Sequence, residues 1–414
     1  MRLIAALLGV LMTAMVVQAA PLRLGRGVGL HEWLNWSPVN EDRTYRRPPY
    51  RTVEQWLSSE RPLLDWPKGD PFVRIRALGF DFARLTVDPG PLLAGNDAAR
   101  KEALDVLSRA VRRVTAAGLA VVFNLHAVSQ VPAYGMDVID DGADSEGVMH
   151  YRAMAKTVAA MLVEIGTDKV AFEPYNEPAY YPCDSGGTED WQRIMAGTVA
   201  DIRSVSADLT IIATGACGGS ITGLTDLDPS FDDANVLYSF HMYDPHEFTH
   251  QRAEDSDGFF SGLPWPARGN SAERVRQRLS ARMQAAGFSQ LKEIVSLAKA
   301  DERIETYFRE NWDDAMLKAR IGEAVDWAKR HALPPSRLFM GEFGVIRMTA
   351  DGRSGAYDTD RLHYLRLVRE TAEENGIPWS IWEYSNPYGM TVIEPKGPAI
   401  PDKELMQALG LVPQ

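Results

Sequence analysis

Two short apolar runs in this chain each end on a glutamate. In Val170-Ala171-Phe172-Glu173-Pro174-Tyr175-Asn176-Glu177-Pro178 a hydrophobic climb reaches an Asn-Glu pair and is stopped by proline, the pattern of a buried strand delivering one carboxylic acid to its end. In Arg337-Leu338-Phe339-Met340-Gly341-Glu342-Phe343-Gly344 the acid stands between glycines. Two carboxyl groups converging from different strands suit one job: one protonates a departing oxygen while the other attacks the carbon it leaves. That is the chemistry of glycosidic bond cleavage. Its outcome is set by spacing, about 5 to 5.5 Å for retention and about 6.5 to 9.5 Å for inversion, where a water must fit between.

Strands must hold these acids, and the pattern supplies eight candidates: residues 25–30, 80–87, 119–126, the run from Val170, 209–215, 235–243, the run ending at Glu342, and 377–384. Helical spacing separates most of them. The clearest helix covers 98–117, with Leu104, Leu107, Val111 and Val114 on one face and Gly118 in the capping position. Others are predicted over 72–78, 149–165, 188–205, 359–375 and 402–409, while 37–71 reads as loop with one helical turn. Strand and helix alternating in this way predict an α/β fold, a parallel (β/α)8 TIM barrel. The roughly ninety residues after Tyr243 are too many for a plain connection. They predict a helical insertion between strands 6 and 7, about 244–335. In such a barrel, functional residues gather at the C-terminal strand ends. Here those ends carry His31-Glu32-Trp33, Arg84, His126, Asn176-Glu177, His241 and Tyr243, Glu342, and Trp382-Glu383.

The chain has 414 residues, 45% hydrophobic, with a formal net charge of −12. That balance excludes nucleic acid and anionic membranes as partners, since both need a basic surface. Ten tryptophans and fourteen tyrosines are enough to furnish platforms for sugar rings beside those used in the core. Arg2, an apolar run over 3–17 and the small residues around Val17-Gln18-Ala19 predict a signal peptide over 1–20, cleaved near Ala19-Ala20. A mature domain, 21–414, with no membrane span and a secreted or periplasmic location is then expected. In an exported chain Cys183 and Cys217 are expected to pair. Each falls just beyond one of two successive strands, and the closed loop of about 35 residues would be worth roughly 3 to 4 kcal/mol. The acidic stretch 137–146 lacks EF-hand spacing and reads as a solvated loop.

Asn176-Glu177-Pro178 together with Gly341-Glu342-Phe343-Gly344 resembles glycoside hydrolase family 5, barrel enzymes whose two acids follow the fourth and seventh strands. The ordered motifs span nearly the whole mature chain. The segment from His241 to Gln251 is also similar to a loop of bacterial members. The resemblance implies Glu177 as acid and base and Glu342 as ionised nucleophile. It implies Arg84 as the cation lowering the nucleophile's pKa, Tyr243 as its hydrogen-bond donor, and Asn176 on the sugar 2-hydroxyl. His126 and His241 would line the cleft and Trp382 would floor it. His31 and Trp33, ending the first strand, join them as substrate-binding candidates.

No metal or cofactor is implied. An oligosaccharide or polysaccharide is the expected partner and a monomer the expected state. The implied activity is a retaining endo-β-1,4-glucanase, with β-mannanase, β-1,3-glucanase and exopolysaccharide-specific enzymes sharing the same catalytic set. Two other classes compete. A non-catalytic carbohydrate-binding barrel would need a broken set, and every member is present. A metal-dependent barrel hydrolase would need a third His or Asp beside His126 and His241 at a comparable strand end.

Overall fold

The computed structural model describes residues 20–127, 130–136, 141–180, 183, 188–231, 233–253, 258–386 and 389–411. The expected signal peptide lies outside these apart from Ala20, as do residues 137–140 of the acidic stretch. Eight strands close a barrel in chain order: β1 (Arg26–Leu34), β2 (Phe82–Val87), β3 (Ala120–Leu125), β4 (Val170–Glu173), β5 (Thr210–Thr214), β6 (Val236–Met242), β7 (Leu338–Phe343) and β8 (Trp379–Ile381). Every pair is parallel and β8 returns to β1.

Side chains alternate between the barrel axis and the surrounding helices. Phe82, Val122, Ala171, Ile212, Leu237 and Phe339, one from each of β2 to β7, form the apolar floor, with Leu22 and Leu24 packed against it. Two residues further along their strands, Arg84, Asn124, Glu173 and Ser239 are fully buried polar groups. The interior therefore turns from hydrocarbon to charge within one layer. The outward residues join a larger core between sheet and helices.

Among the helices that flank the strands are α1 (Val53–Glu60), α2 (Asp97–Ala116), α3 (Glu146–Ile165), α4 (Trp191–Arg203), α5 (Ala272–Ala285), α6 (Gln290–Glu310), α7 (Asp314–Arg330) and α8 (Asp358–Glu374), and the expected helices over 72–78 and 402–409 form as Pro71–Ala77 and Lys403–Ala408. Two sequence expectations need correction here. First, the stretch read as loop contains α1, whose start is a capping box: Thr52 accepts from Gln55 N and the Gln55 side chain accepts from Thr52 N. Val53, Trp56 and Leu57 of this helix are buried. Second, β1 runs on through His31 to Leu34 instead of ending at Leu30.

Between β6 and β7, α5 and α6 are joined by an Arg276–Asp301 ion pair at 2.7 Å. Following them, α7 packs Trp327 edge-on against Tyr238 of β6, centroids 5.2 Å apart, in the place of a barrel helix. A disulfide joins Cys183 beyond β4 to Cys217 beyond β5, Cα atoms 5.3 Å apart. Among the described residues no helix is long and apolar enough to cross a membrane.

Candidate active site

The site is built on Arg84, which rises from the apolar floor and is fully buried. Its guanidinium donates three ways: Nε to Glu173 Oε2 at 2.6 Å, one terminal nitrogen to Glu342 Oε1 at 2.6 Å, and the other to Asn176 Oδ1 at 2.8 Å. Burial alone would lower its pKa, but Glu173 and Glu342 reverse that and raise it, so the cation is held by charge pairing. Glu173 accepts a further bond from Ser239 Oγ at 3.1 Å. Strand patterning missed Glu173, which looked like part of an apolar climb. The signal was available: a carboxylate two residues after inward Ala171 must itself face inward.

Glu342 reaches the same cluster through a local irregularity. Phe240 pairs with Met340, yet His241 pairs with Glu342, so Gly341 is the extra residue of a β-bulge. Gly341 and Glu342 thereby both face the axis, where strict alternation would have turned Glu342 into the helix layer. A Cβ on Gly341 would stand 2.9 Å from Ser239 Oγ and 3.0 Å from His241 Nε2. Glycine at 341 thus admits the histidine.

Glu177 follows β4 on the turn stopped by Pro178, and its side chain is 38% exposed against 5% for Glu342. His241 Nδ1 bonds Glu177 Oε1 at 2.7 Å and lies 3.6 Å from Glu342 Oε2. Tyr243 donates its hydroxyl to Glu342 Oε2 at 3.0 Å. Donor atoms of Glu177, His241 and Glu342 all lie within 4.8 Å of one another. One carboxylate oxygen of each acid therefore lies within 4.8 Å of the other, an approach on the side of the close spacing used by retaining pairs.

The two acids differ in surroundings. Burial raises the Glu342 carboxyl above its ordinary value; His241 and Arg84 oppose the rise, and Glu177 adds to it. Arg84 therefore pulls in the expected direction, but desolvation outweighs it, contrary to the expectation of a net lowering. His241 feels burial too, yet Glu342 and Glu177 turn its shift upward. Tyr243 is pushed well above the usual phenol range by burial and then by Glu342, so it stays a donor. A divalent ion on Glu177, His241 and Glu342 would have the right donors, but it would face the Arg84 guanidinium already 2.6 Å from Glu342.

Around this pair, half-buried Trp382 has its ring 4.7 Å from His31 and 6.0 Å from His126, the latter stacked within 22°. His126 Nε2 lies 3.4 Å from Asn176 Nδ2. Burial, then Arg84, lowers His31 to about 3, and burial with His31 lowers His126 well below its usual value, so both are neutral rings lining the cleft. Trp33 is a correction. It is 3% exposed, stacked on Trp56 of α1 at 5.9 Å, with Nε1 bonded to Arg51 O at 2.9 Å. The pairing of β1 with β2 shifts register between Leu30 and Leu34, so Trp33 departs from the alternation that turns His31 inward and packs in the helix layer, away from the cleft.

A closed parallel barrel presenting a close carboxylate pair over an aromatic floor defines a barrel glycoside hydrolase. The family model Cellulase (glycosyl hydrolase family 5) matches residues 53–387, and the chain belongs to that family. Endoglucanase 3 of Fibrobacter succinogenes is 28% identical over 246 residues, 58% of this chain; the chain spans only 34% of that protein. Cellodextrinase A of Ruminococcus flavefaciens is 24% identical over 332 residues, 78% of this chain and 81% of that one. Among solved structures, cellulose synthase subunit Z from Clostridioides difficile superposes with a TM-score of 0.59 at 19% identity, covering 94% of this chain and 99% of that one.

Proposed function

We propose that this chain is an exported endo-β-1,4-glucanase working by double displacement. The observation that carries the reading is the meeting of Glu177 and Glu342 within 4.8 Å in unlike surroundings. Glu342, bonded by Arg84 and Tyr243 and nearly closed off from solvent, is the nucleophile on the sugar carbon. Glu177, at the open edge, protonates the leaving oxygen and then takes a proton from the water that releases the sugar. His241 bridges the two and passes its hydrogen bond between them as the charge moves. Asn176, oriented by Arg84, takes the 2-hydroxyl, and Trp382 carries the ring. Names of relatives support cellulose-like substrates; β-mannan, β-1,3-glucan and exopolysaccharide backbones need only different loops around the same acids. The Cys183–Cys217 disulfide supports an oxidising compartment.

Hydrolysis of a panel of β-glucans and β-mannans, with the first-formed anomer followed by NMR, tests this. A β-anomer product is expected, with activity lost in Glu177→Gln and Glu342→Gln and unaffected by chelator. An α-anomer, or full activity in either variant, would overturn the mechanism. Activity lost on chelation in the wild type would favour a metal on the same three donors.

A further inference from the structure

At the C-terminal end of the barrel, the loops after β1, β2 and β3 line a hollow of about 320 Å³. Arg43, Arg46 and Arg47 line it from the β1 loop, with Tyr45 among them, and Tyr134 lines it from beyond β3. These connections leave the C-terminal ends of β1, β2 and β3, so the hollow lies at the same end of the barrel as the acid pair. Its direction follows from the acid pair. Glu177, on the leaving-group side, stands at β4, whereas His31 and Trp382 stand at β1 and β8. A sugar chain whose cleaved residue rests on Trp382 therefore continues on its glycone side toward the β1 to β3 loops.

The lining is unlike the rest of the molecule. The chain carries a net charge of −12, yet three arginines line this hollow against one carboxylate, Glu102, which is bound to Arg47 at 2.7 Å. Arg46 is anchored by Nε on Val39 O at 3.0 Å. Arg43 projects from a turn closed by Asn40 N on Thr44 O at 2.7 Å and Arg43 N on Asn40 O at 3.0 Å. The Tyr45 and Tyr134 rings stand 6.3 Å apart, inclined at 35°. Tyr45 is seated by a close approach that requires glycine: a Cβ on Gly90 would fall 1.7 Å from its hydroxyl. Aromatic faces hold sugar rings, and planar guanidinium forks hold carboxylates. A neutral glucan calls for the first but not the second.

We propose that this hollow is a distal glycone subsite for a uronate, a sugar ring bearing a carboxylate. This rests on the glycosidase reading above and narrows its substrate class to acidic β-linked polysaccharides. The test is equilibrium binding to the mature Glu342→Gln protein, which does not turn substrate over. Two probes are compared: a β-1,4-linked glucose hexasaccharide, and the same hexasaccharide with glucuronate at its non-reducing end. The acidic probe is expected to bind about tenfold tighter at low salt, the worth of one charge-assisted contact, with the advantage shrinking as salt rises. In a background also carrying Arg43→Ala and Arg46→Ala the ratio should fall toward one. Arg43→Lys with Arg46→Lys, which keeps charge but not the fork, should leave an intermediate ratio and guards against misfolding in the alanine pair. Equal binding of the probes, or an advantage that survives the alanine pair, overturns the proposal. Because binding is scored without turnover, that result is distinct from failure of the glycosidase reading, which would appear as no hydrolysis of any panel substrate by the wild type.

Discussion

Arg84 and Glu173 meet inside the barrel, Nε to Oε2 at 2.6 Å, with both side chains 0% exposed. The same guanidinium holds Glu342 and Asn176, so the nucleophile's position depends on an acid that faces no substrate. Removing one partner of a buried pair strands the other charge. Glu173→Gln should lower stability by about 3 kcal/mol or more. It should also lower kcat on the order of tenfold to a hundredfold, as Arg84 shifts onto Glu342. Thermal melts and steady-state kinetics on an aryl β-glycoside check this. An unchanged melting temperature would show that Glu173 is not what fixes Arg84.

The bulge at Gly341 gives a sharper prediction. An alanine there would press its Cβ to 3.0 Å from His241 Nε2 while Nδ1 of the same ring holds Glu177. Gly341→Ala should fold, losing about 1 to 3 kcal/mol from overpacking. Its activity should fall far more than that loss of stability would unfold at assay temperature. The His241 ring resonances in NMR spectra should move, and unmoved resonances with full activity would mean the ring has slack.

Most of the rim was legible because a parallel barrel gathers chemical residues at its C-terminal strand ends, and His126, Glu177, His241, Glu342 and Trp382 stand at or just beyond them; Arg84, expected at the end of β2, instead sits inside that strand, two residues above the apolar floor. What lay hidden depends on register. Glu342 faces the axis only because Gly341 is inserted against β6, and no local pattern in the β7 run records its partner. Trp33 leaves the cleft because β1 shifts register against β2 between Leu30 and Leu34, and nothing in the run itself marks that shift. Helix α1 was concealed by prolines and arginines around it, although Thr52 and Gln55 carry a capping box that a closer reading would use. The sign of the Glu342 shift was beyond sequence altogether. It depends on how completely the folded chain excludes water from that carboxyl, which outweighs the Arg84 charge.

The disulfide bears on Glu177. Beside Cys217, Gly218 N donates to Pro178 O at 3.0 Å and Cys217 N to Tyr180 O at 3.4 Å, so the bridged loop grips the turn that carries the acid. Cys183→Ala with Cys217→Ala should destabilise by roughly 3 to 4 kcal/mol. Its activity should fall more on substrates with poor leaving groups, which need protonation, than on dinitrophenyl glycosides, which do not. Equal losses on both would place the disulfide's effect away from Glu177.

Stability should also depend on pH through a carboxyl outside the cleft. Burial pushes Glu60 up to about 8, where its Oε1 accepts from Trp56 Nε1 at 2.7 Å and its Oε2 meets Ser385. Unfolded, it ionises near 4.5. Between those values the folded chain keeps a proton that the unfolded chain has lost. The stabilisation is complete below about 4.5 and is lost as pH rises toward about 8. His31, lowered to about 3 from 6.5, acts in the opposite sense: its neutral form favours folding increasingly as pH rises from 3, and the effect is complete above 6.5. The two trends offset each other at mildly acid pH. Above 6.5 the loss from Glu60 is unopposed by His31, at up to roughly 1.4 kcal/mol per pH unit. Glu60→Gln keeps an acceptor for Trp56 and removes the proton. Its melting temperature should gain on the wild type steadily from pH 6.5 to 8, and parallel curves across that range would show that Glu60 is already ionised in the fold.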